Sequence, residues 1–152
     1  RMLGGTDILA TDLSKKALAK AKKGDYSLPV LKQYLKPLMG YFPRAKMEDF
    51  FQFQSNHASI KPHYRHRIKY QIHNLVHDSS PGKFDLIFCR NVMIYFDDKL
   101  KAEVLNLLYQ SLNPDGFLII GFYDIMPEYG KKLFQIHDIK TRIYKRRASK
   151  IN

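Results

Sequence analysis

Phe84-Asp85-Leu86-Ile87-Phe88-Cys89 is a nearly continuous apolar run of strand length, entered through the turn residues Pro81-Gly82 and followed at once by the polar pair Arg90-Asn91. Such a run reads as a strand buried on both faces, the kind found in parallel sheets. Its surroundings supply the rest of that architecture. Asp7-Ile8-Leu9-Ala10-Thr11-Asp12 is a second short apolar run, closing on a carboxylate and leading straight into a helix signal. Ser14 is placed to cap that helix, Ala17, Leu18 and Ala21 share one face, and Gly24 stops it. Asp98 is the expected N-cap of a further helix over Lys99 to Leu112, with Leu100, Val104, Leu107, Leu108 and Leu112 at helical spacing. Asn113-Pro114-Asp115-Gly116 is a turn by its chemistry, and a strand from Phe117 to Phe122 follows. Short strands around 133–136 and 141–145 close the chain as an antiparallel hairpin. The order is α/β, with a mostly parallel sheet and an antiparallel end.

The middle of the chain is less regular. Residues 25–56 read as irregular structure with short helices, in which Phe50, Phe51 and Phe53 are packing anchors rather than a stacking platform. From Tyr64 the pattern alternates strictly. Tyr64, His66, Ile68, Tyr70 and Ile72 fall on one side, and Arg65, Arg67, Lys69 and Gln71 on the other. That period predicts a strand with one wet, basic face.

A length of 152 residues predicts one domain, and 45% hydrophobic with 26% charged residues excludes a mainly disordered chain. The single cysteine, Cys89, forbids an internal disulfide and favours a reducing compartment. No apolar stretch is long enough to span a bilayer and no signal-peptide pattern opens the sequence, so a cytoplasmic protein without membrane insertion is expected. The net charge of +12 is uneven: residues 1–76 hold 14 basic and 5 acidic side chains, and no acid lies between Asp49 and Asp78. Such a field suits nucleic acid, anionic lipid or an acidic protein surface, and it equally suits a face of solvated lysines.

In open α/β sheets ligands bind beyond the carboxyl ends of the strands. Asp12, Asn74 and Arg90-Asn91 hold such positions here. A carboxylate there can accept both hydroxyls of a ribose diol, and an asparagine offers one donor and one acceptor to a base edge. The chemistry points to a nucleoside-containing ligand; the plainer alternative is that Asp12 caps the next helix and Asn74 turns a corner. Five of the six histidines lie between His57 and His77, but His63 and His66 would sit on opposite faces of a strand with no carboxylate nearby. No metal site is expected.

Cys89-Arg90-Asn91-Val92-Met93-Ile94-Tyr95-Phe96, after Phe84-Asp85-Leu86-Ile87-Phe88, resembles the signature of the CheR family of chemotaxis receptor methyltransferases. Ala10-Thr11-Asp12-Leu13-Ser14, Gly24-Asp25-Tyr26, His73-Asn74-Leu75 and Leu112-Asn113-Pro114-Asp115-Gly116 match that family in the same order. The resemblance runs from about Ile8 to Arg146. It implies a Rossmann-like methyltransferase sheet and methyl transfer from S-adenosylmethionine to glutamate side chains of a chemoreceptor cytoplasmic domain, leaving S-adenosylhomocysteine. On that basis Asp12 is the ribose-binding acid, Asn74 and Leu75 flank the adenine, Arg90 and Asn91 border the cofactor, and Tyr95 positions the acceptor. Leu75 could instead be simple core, and Tyr95 could fill the space beneath the following helix.

The resemblance also sets departures. The family's glycine-rich first strand and loop and its helical N-terminal domain have no counterpart in these 152 residues. The chain is therefore expected to be a partial methyltransferase domain, not fully competent alone, with about 57–70 belonging to a small inserted antiparallel β-subdomain. In that subdomain Arg65, Arg67 and Lys69 would face an acidic receptor tail. Gly121-Phe122-Tyr123-Asp124 replaces the family's Gly-His-Ser-Glu, which raises the alternative of a non-catalytic docking relative. A basic nucleic-acid-binding module using Lys61 to Lys69 is the alternative from another class, ranked below both.

Overall fold

Ser14 accepts a hydrogen bond from the Ala17 N–H at 3.2 Å and Gly24 ends the same helix at φ 62°, so the first βα unit forms as its sequence predicts. The structure is a computed structural model, described here over residues 5–148. It divides into two compact units, Arg1–His73 and Asn74–Asn152.

In the first unit β1 (Ile8–Asp12) runs into α1 (Lys15–Lys23) and on to β2 (Asp25–Ser27) and α2 (Leu28–Tyr41). Two short hairpin strands, β3 (Phe51–Gln54) and β4 (His57–Ile60), precede a helical turn, α4 (Pro62–Arg65), with α3 (Met47–Phe50) before them. The unit ends in β5 (Ile68–Ile72), which pairs in parallel with β1, Ile8 facing Ile68 and Asp12 facing Ile72. A separate antiparallel sheet has the order β2-β4-β3. Its cluster of Leu31, Leu35 and Ala58 is backed by Tyr26, Leu28, Met47 and Phe51. Phe51 thus anchors packing as expected, while Phe53 is partly exposed.

Four expectations for this unit change. Residues 25–56 hold a fourteen-residue helix, because Leu28, Leu31 and Leu35 repeat at helical spacing and the strength of that buried stripe outweighs Pro37 within it. The nine-residue alternating strand over 64–72 is only half real. Pro62 sits in the first turn of α4, where its missing N–H costs nothing, and the strand begins only at Ile68. Of the stretch 57–70, only 57–60 lies in the antiparallel sheet; the strand from Ile68 belongs beside β1. His63 is therefore on a helical turn and His66 at its end, not on opposite faces of a strand.

The second unit holds β6 (Phe84–Cys89), α5 (Asp98–Ser111), β7 (Leu112–Ile120), α6 (Glu128–Leu133), β8 (Phe134–Asp138) and β9 (Ile143–Arg146). The sheet order is β6-β7-β9-β8, with β6 and β7 parallel and the other pairs antiparallel. The terminal hairpin is as predicted. Asp97, not Asp98, caps α5, accepting the Leu100 N–H at 2.8 Å. The Asn113–Gly116 turn falls inside β7 as an irregularity: pairing jumps from Phe84–Leu112 to Leu86–Phe117, with Asp115 at φ 64°. Val104, Leu105 and Leu108 of α5 pack with Leu118, Ile120, Phe134 and Tyr144 as the core. Burying each such side chain contributes about 1.5–3 kcal/mol.

The expected two-faced burial of Phe84–Cys89 does not hold. β6 is the edge strand of its sheet, and Leu86 (47% exposed) and Phe88 (65%) face outward within the unit.

Candidate cofactor site

In the first unit Asp12 ends β1 with an exposed side chain, and its backbone carbonyl accepts the His73 N–H at 3.2 Å. Its Oδ1 accepts the Ser14 N–H at 2.7 Å, which fixes the carboxylate at the mouth of the strand. Ser14 does the capping of α1, so Asp12 is not consumed as its cap. A carboxylate held by one oxygen is suited to accept hydroxyl groups with the other.

In the second unit Asn74 opens a tight loop. Its Oδ1 accepts the Val76 N–H at 2.9 Å, its own N–H donates to Asp78 Oδ2 at 2.8 Å, and its carbonyl accepts from His77 and Asp78. The side-chain acceptor assigned to a base edge is thus engaged in turning the chain, and the amide NH2 is the group it has to offer. Leu75 is partly buried against the core of this unit.

The Arg90–Tyr95 segment leaves the end of β6 as a loop closed by a 3-10 turn over Met93–Tyr95. Met93 points into the core, whereas Arg90, Asn91 and Ile94 are exposed and Tyr95 is 81% exposed. Tyr95 therefore does not fill the space beneath α5. Asn91 sits at φ 58°, a left-handed conformation that asparagine tolerates better than most residues.

What holds this loop is a residue to which sequence reasoning gave no role. Asp124, fully buried just past β7, accepts the Asn91 N–H (2.6 Å) and the Gly121 N–H (2.8 Å) on Oδ2 and the Ile94 N–H (3.2 Å) on Oδ1. Gly121 is required by this approach, since a Cβ there would lie 2.6 Å from the Asn91 nitrogen and 2.7 Å from Asp124 Oδ2. The signal available in sequence was an acid a few residues past an apolar strand, opposite another strand end rich in polar groups. Cys89, buried at the end of β6, has its thiol pushed up to about 12, first by burial and then by the negative charge of Asp124. It is no nucleophile at neutral pH.

The basic row does not survive as a single face. Arg65 Nη1 donates to the carbonyls of Lys22 (3.4 Å) and Lys23 (2.5 Å), closing the C-terminus of α1, while Arg67 and Lys69 lie further along, near and on β5. Its aliphatic stem lies over Gly24, where a Cβ would come within 2.7 Å of Arg65 Cδ. Arg65 is separated from Arg67 and Lys69 by the change from helix to strand. Among the described residues no group of three or more His, Cys, Asp or Glu could hold a metal ion, and no helix is long and apolar enough to cross a membrane.

A family described as the CheR methyltransferase SAM-binding domain matches residues 2–143. The chain belongs to that family. Its cofactor is accordingly S-adenosylmethionine, and the fold is that of the Rossmann-like methyltransferases. Similar proteins include chemotaxis protein methyltransferase 1 of Pseudomonas aeruginosa, 33% identical over 123 residues, covering 80% of this chain and 42% of the relative. The chemotaxis protein methyltransferase of Vibrio anguillarum is 38% identical over 122 residues (79% and 42%), and that of Salmonella typhimurium 34% over 128 (78% and 40%). The chain spans about two fifths of the length of these curated relatives. Among solved structures, an S-adenosylmethionine-dependent methyltransferase from Mesorhizobium loti aligns at TM-score 0.43 and 20% identity, over 77% of this chain and 36% of that one.

The donor set of this CheR-family chain fits the cofactor in kind. A ribose diol needs an acceptor, and in the first unit the Asp12 carboxylate has an oxygen besides the one that holds the Ser14 N–H.

Proposed function

We propose that this chain is the cofactor-binding part of a methyltransferase that esterifies glutamate carboxylates on the cytoplasmic domain of a chemoreceptor, in the cytoplasm. The observation that carries the reading is the family match across residues 2–143, which includes the Cys89–Phe96 segment with its anchored loop after β6. In this reading Asp12 accepts the ribose hydroxyls, Asn74 and Leu75 border the adenine, and Arg90 and Asn91 flank the cofactor.

Bound S-adenosylmethionine supplies a methyl group on a sulfonium, which is a good leaving group. A glutamate attacks in its ionised form, so the reaction needs no general base. What the protein contributes is alignment of carboxylate, methyl and sulfur. The exposed Tyr95 hydroxyl would donate to the acceptor carboxylate and orient it. Two rival readings lose support. The non-catalytic reading rested on the changed Gly121–Asp124 segment, yet that segment keeps an acid engaged with three backbone N–H groups. The nucleic-acid reading rested on the basic stretch from Lys61 to Lys69, within which Arg65 is engaged with the carbonyls at the end of α1.

Incubating the whole protein with methyl-tritiated S-adenosylmethionine and a receptor cytoplasmic fragment tests the reading. The expected result is receptor label released by alkali as volatile methanol, the mark of a carboxyl methyl ester. Alkali-stable label, or none, would count against it.

A further inference from the structure

We propose that Asp124 is the positioning residue of the site: its carboxylate sets the Arg90–Tyr95 loop at the conformation in which Asn91 and Tyr95 meet cofactor and acceptor. The inference rests on the reading of that loop as the cofactor border and adds the group that governs it.

Three features of Asp124 carry the inference. First, it is a fully buried carboxylate whose hydrogen bonds come from backbone N–H groups rather than from a cation. Burying a charge is costly unless it is well satisfied. A threonine or serine there could serve the Asn91 and Gly121 groups through one oxygen, so merely ending β7 does not demand an acid. Second, the three donors come from two segments. Gly121 belongs to the carboxylate's own turn, whereas Asn91 and Ile94 belong to the loop that leaves β6. Two oxygens of one rigid group therefore hold two points of the loop, one on each side of Val92 and Met93. Third, the loop is held in a conformation that needs holding: Asn91 lies at φ 58°, and Gly121 has no side chain to obstruct it. Sparsely populated backbone conformations persist where the surroundings over-determine them. The bonds of Asp124 run to main-chain N–H groups, so it acts through the main chain on which those side chains stand.

An amide at this position cannot substitute. Asparagine has one acceptor oxygen, so serving Asn91 and Gly121 turns its NH2 toward the Ile94 N–H, and serving Ile94 abandons the other two. Glutamate keeps both oxygens and the charge.

The test compares Asp124→Asn and Asp124→Glu with the unchanged chain, by residue-resolved amide hydrogen exchange without ligand and by calorimetric titration with S-adenosylhomocysteine. The expected result for Asp124→Asn is a loss of exchange protection of about tenfold or more at Asn91 and Ile94, with Leu105 and Leu108 of α5 unchanged, and a drop in affinity of about tenfold or more. Asp124→Glu should recover most of the affinity. Protection at Asn91 and Ile94 that survives Asp124→Asn would overturn the positioning role, as would unaltered affinity. An unchanged chain that does not bind S-adenosylhomocysteine, with the exchange effect present, would instead remove the cofactor reading and with it the functional half of the inference. A melting point lowered together with protection throughout α5 would reduce Asp124 to a general stabiliser and also overturn it.

Discussion

Asp124 Oδ2 accepts the backbone N–H of Asn91 at 2.6 Å across 33 residues of sequence, tying the loop after β6 to the turn after β7. The two strands are parallel neighbours, so their C-terminal ends emerge side by side and the bond crosses from one to the other. That relationship is what turns a recognisable stretch of sequence, Cys89–Phe96, into a fixed object.

Gly121 is the first place to probe it. Gly121→Ala puts a methyl group against the Asn91 nitrogen and Asp124 Oδ2, both backbone-tethered and unable to move far. Forced overpacking of this kind costs about 1–3 kcal/mol. Urea denaturation should show a lower midpoint at an unchanged slope. An unaltered midpoint would mean the loop has room that the geometry denies it.

Asp12→Asn should weaken S-adenosylhomocysteine binding and leave the fold alone. The side chain keeps its Oδ1 bond to the Ser14 N–H, and the cap of α1 belongs to Ser14. Charge-assisted bonds to ribose hydroxyls become neutral ones, a loss of about 1.5–3 kcal/mol in binding. Calorimetry reads the affinity and circular dichroism the helix. Unchanged affinity would remove Asp12 from the site.

Much of this was legible in the residues themselves, and the pattern of what was not is physical. Ser14 and Gly24 bound α1 by local chemistry, which a sequence displays directly. The β8–β9 hairpin announces itself in the same way. The alternation in 64–72 was real only from Ile68, because Pro62 starts a helical turn that takes up Tyr64 and Arg65, and a period-two pattern of four residues cannot be told from one turn of helix. Helix α2 was hidden by Pro37, whose cost is repaid by burying Leu31 and Leu35. Asp12, Arg90 and Asn91 were singled out because strand ends are where ligands bind, and the structure places them at the ends of β1 and β6. Asp124 was missed because its partners lie 30 and 33 residues away, and no local pattern reports a contact made only by parallel strand pairing.

Arg65 offers a prediction that separates structure from recognition. Its guanidinium meets the last carbonyls of α1, where a cation also complements the helix dipole. Arg65→Glu should destabilise the chain by about 1 kcal/mol or more, replacing an attraction with a repulsion. Lys69→Glu, on β5 with no such duty in α1, should cost far less. Thermal melts of the two variants distinguish them, and equal effects would refute the capping role.

Cys89 should be inert. Its thiol is raised to about 12 against an ordinary value of 9.0, so the folded chain keeps it neutral while the unfolded chain ionises above pH 9. Its contribution to stability is therefore full below pH 9 and is lost as pH rises from there toward 12. Iodoacetamide at pH 8.5 should label it only after denaturant is added. Rapid labelling of the native chain would show that the end of β6 is open.

The most direct test of the whole account is titration of the 15N-labelled chain with S-adenosylhomocysteine, followed by amide chemical shifts. The account predicts saturable shifts at Asp12 and Leu13, at Asn74 and Leu75, and across Arg90–Tyr95, with the terminal β8–β9 hairpin unaffected. Shifts confined to other residues, or a spectrum unchanged at millimolar ligand, would contradict it.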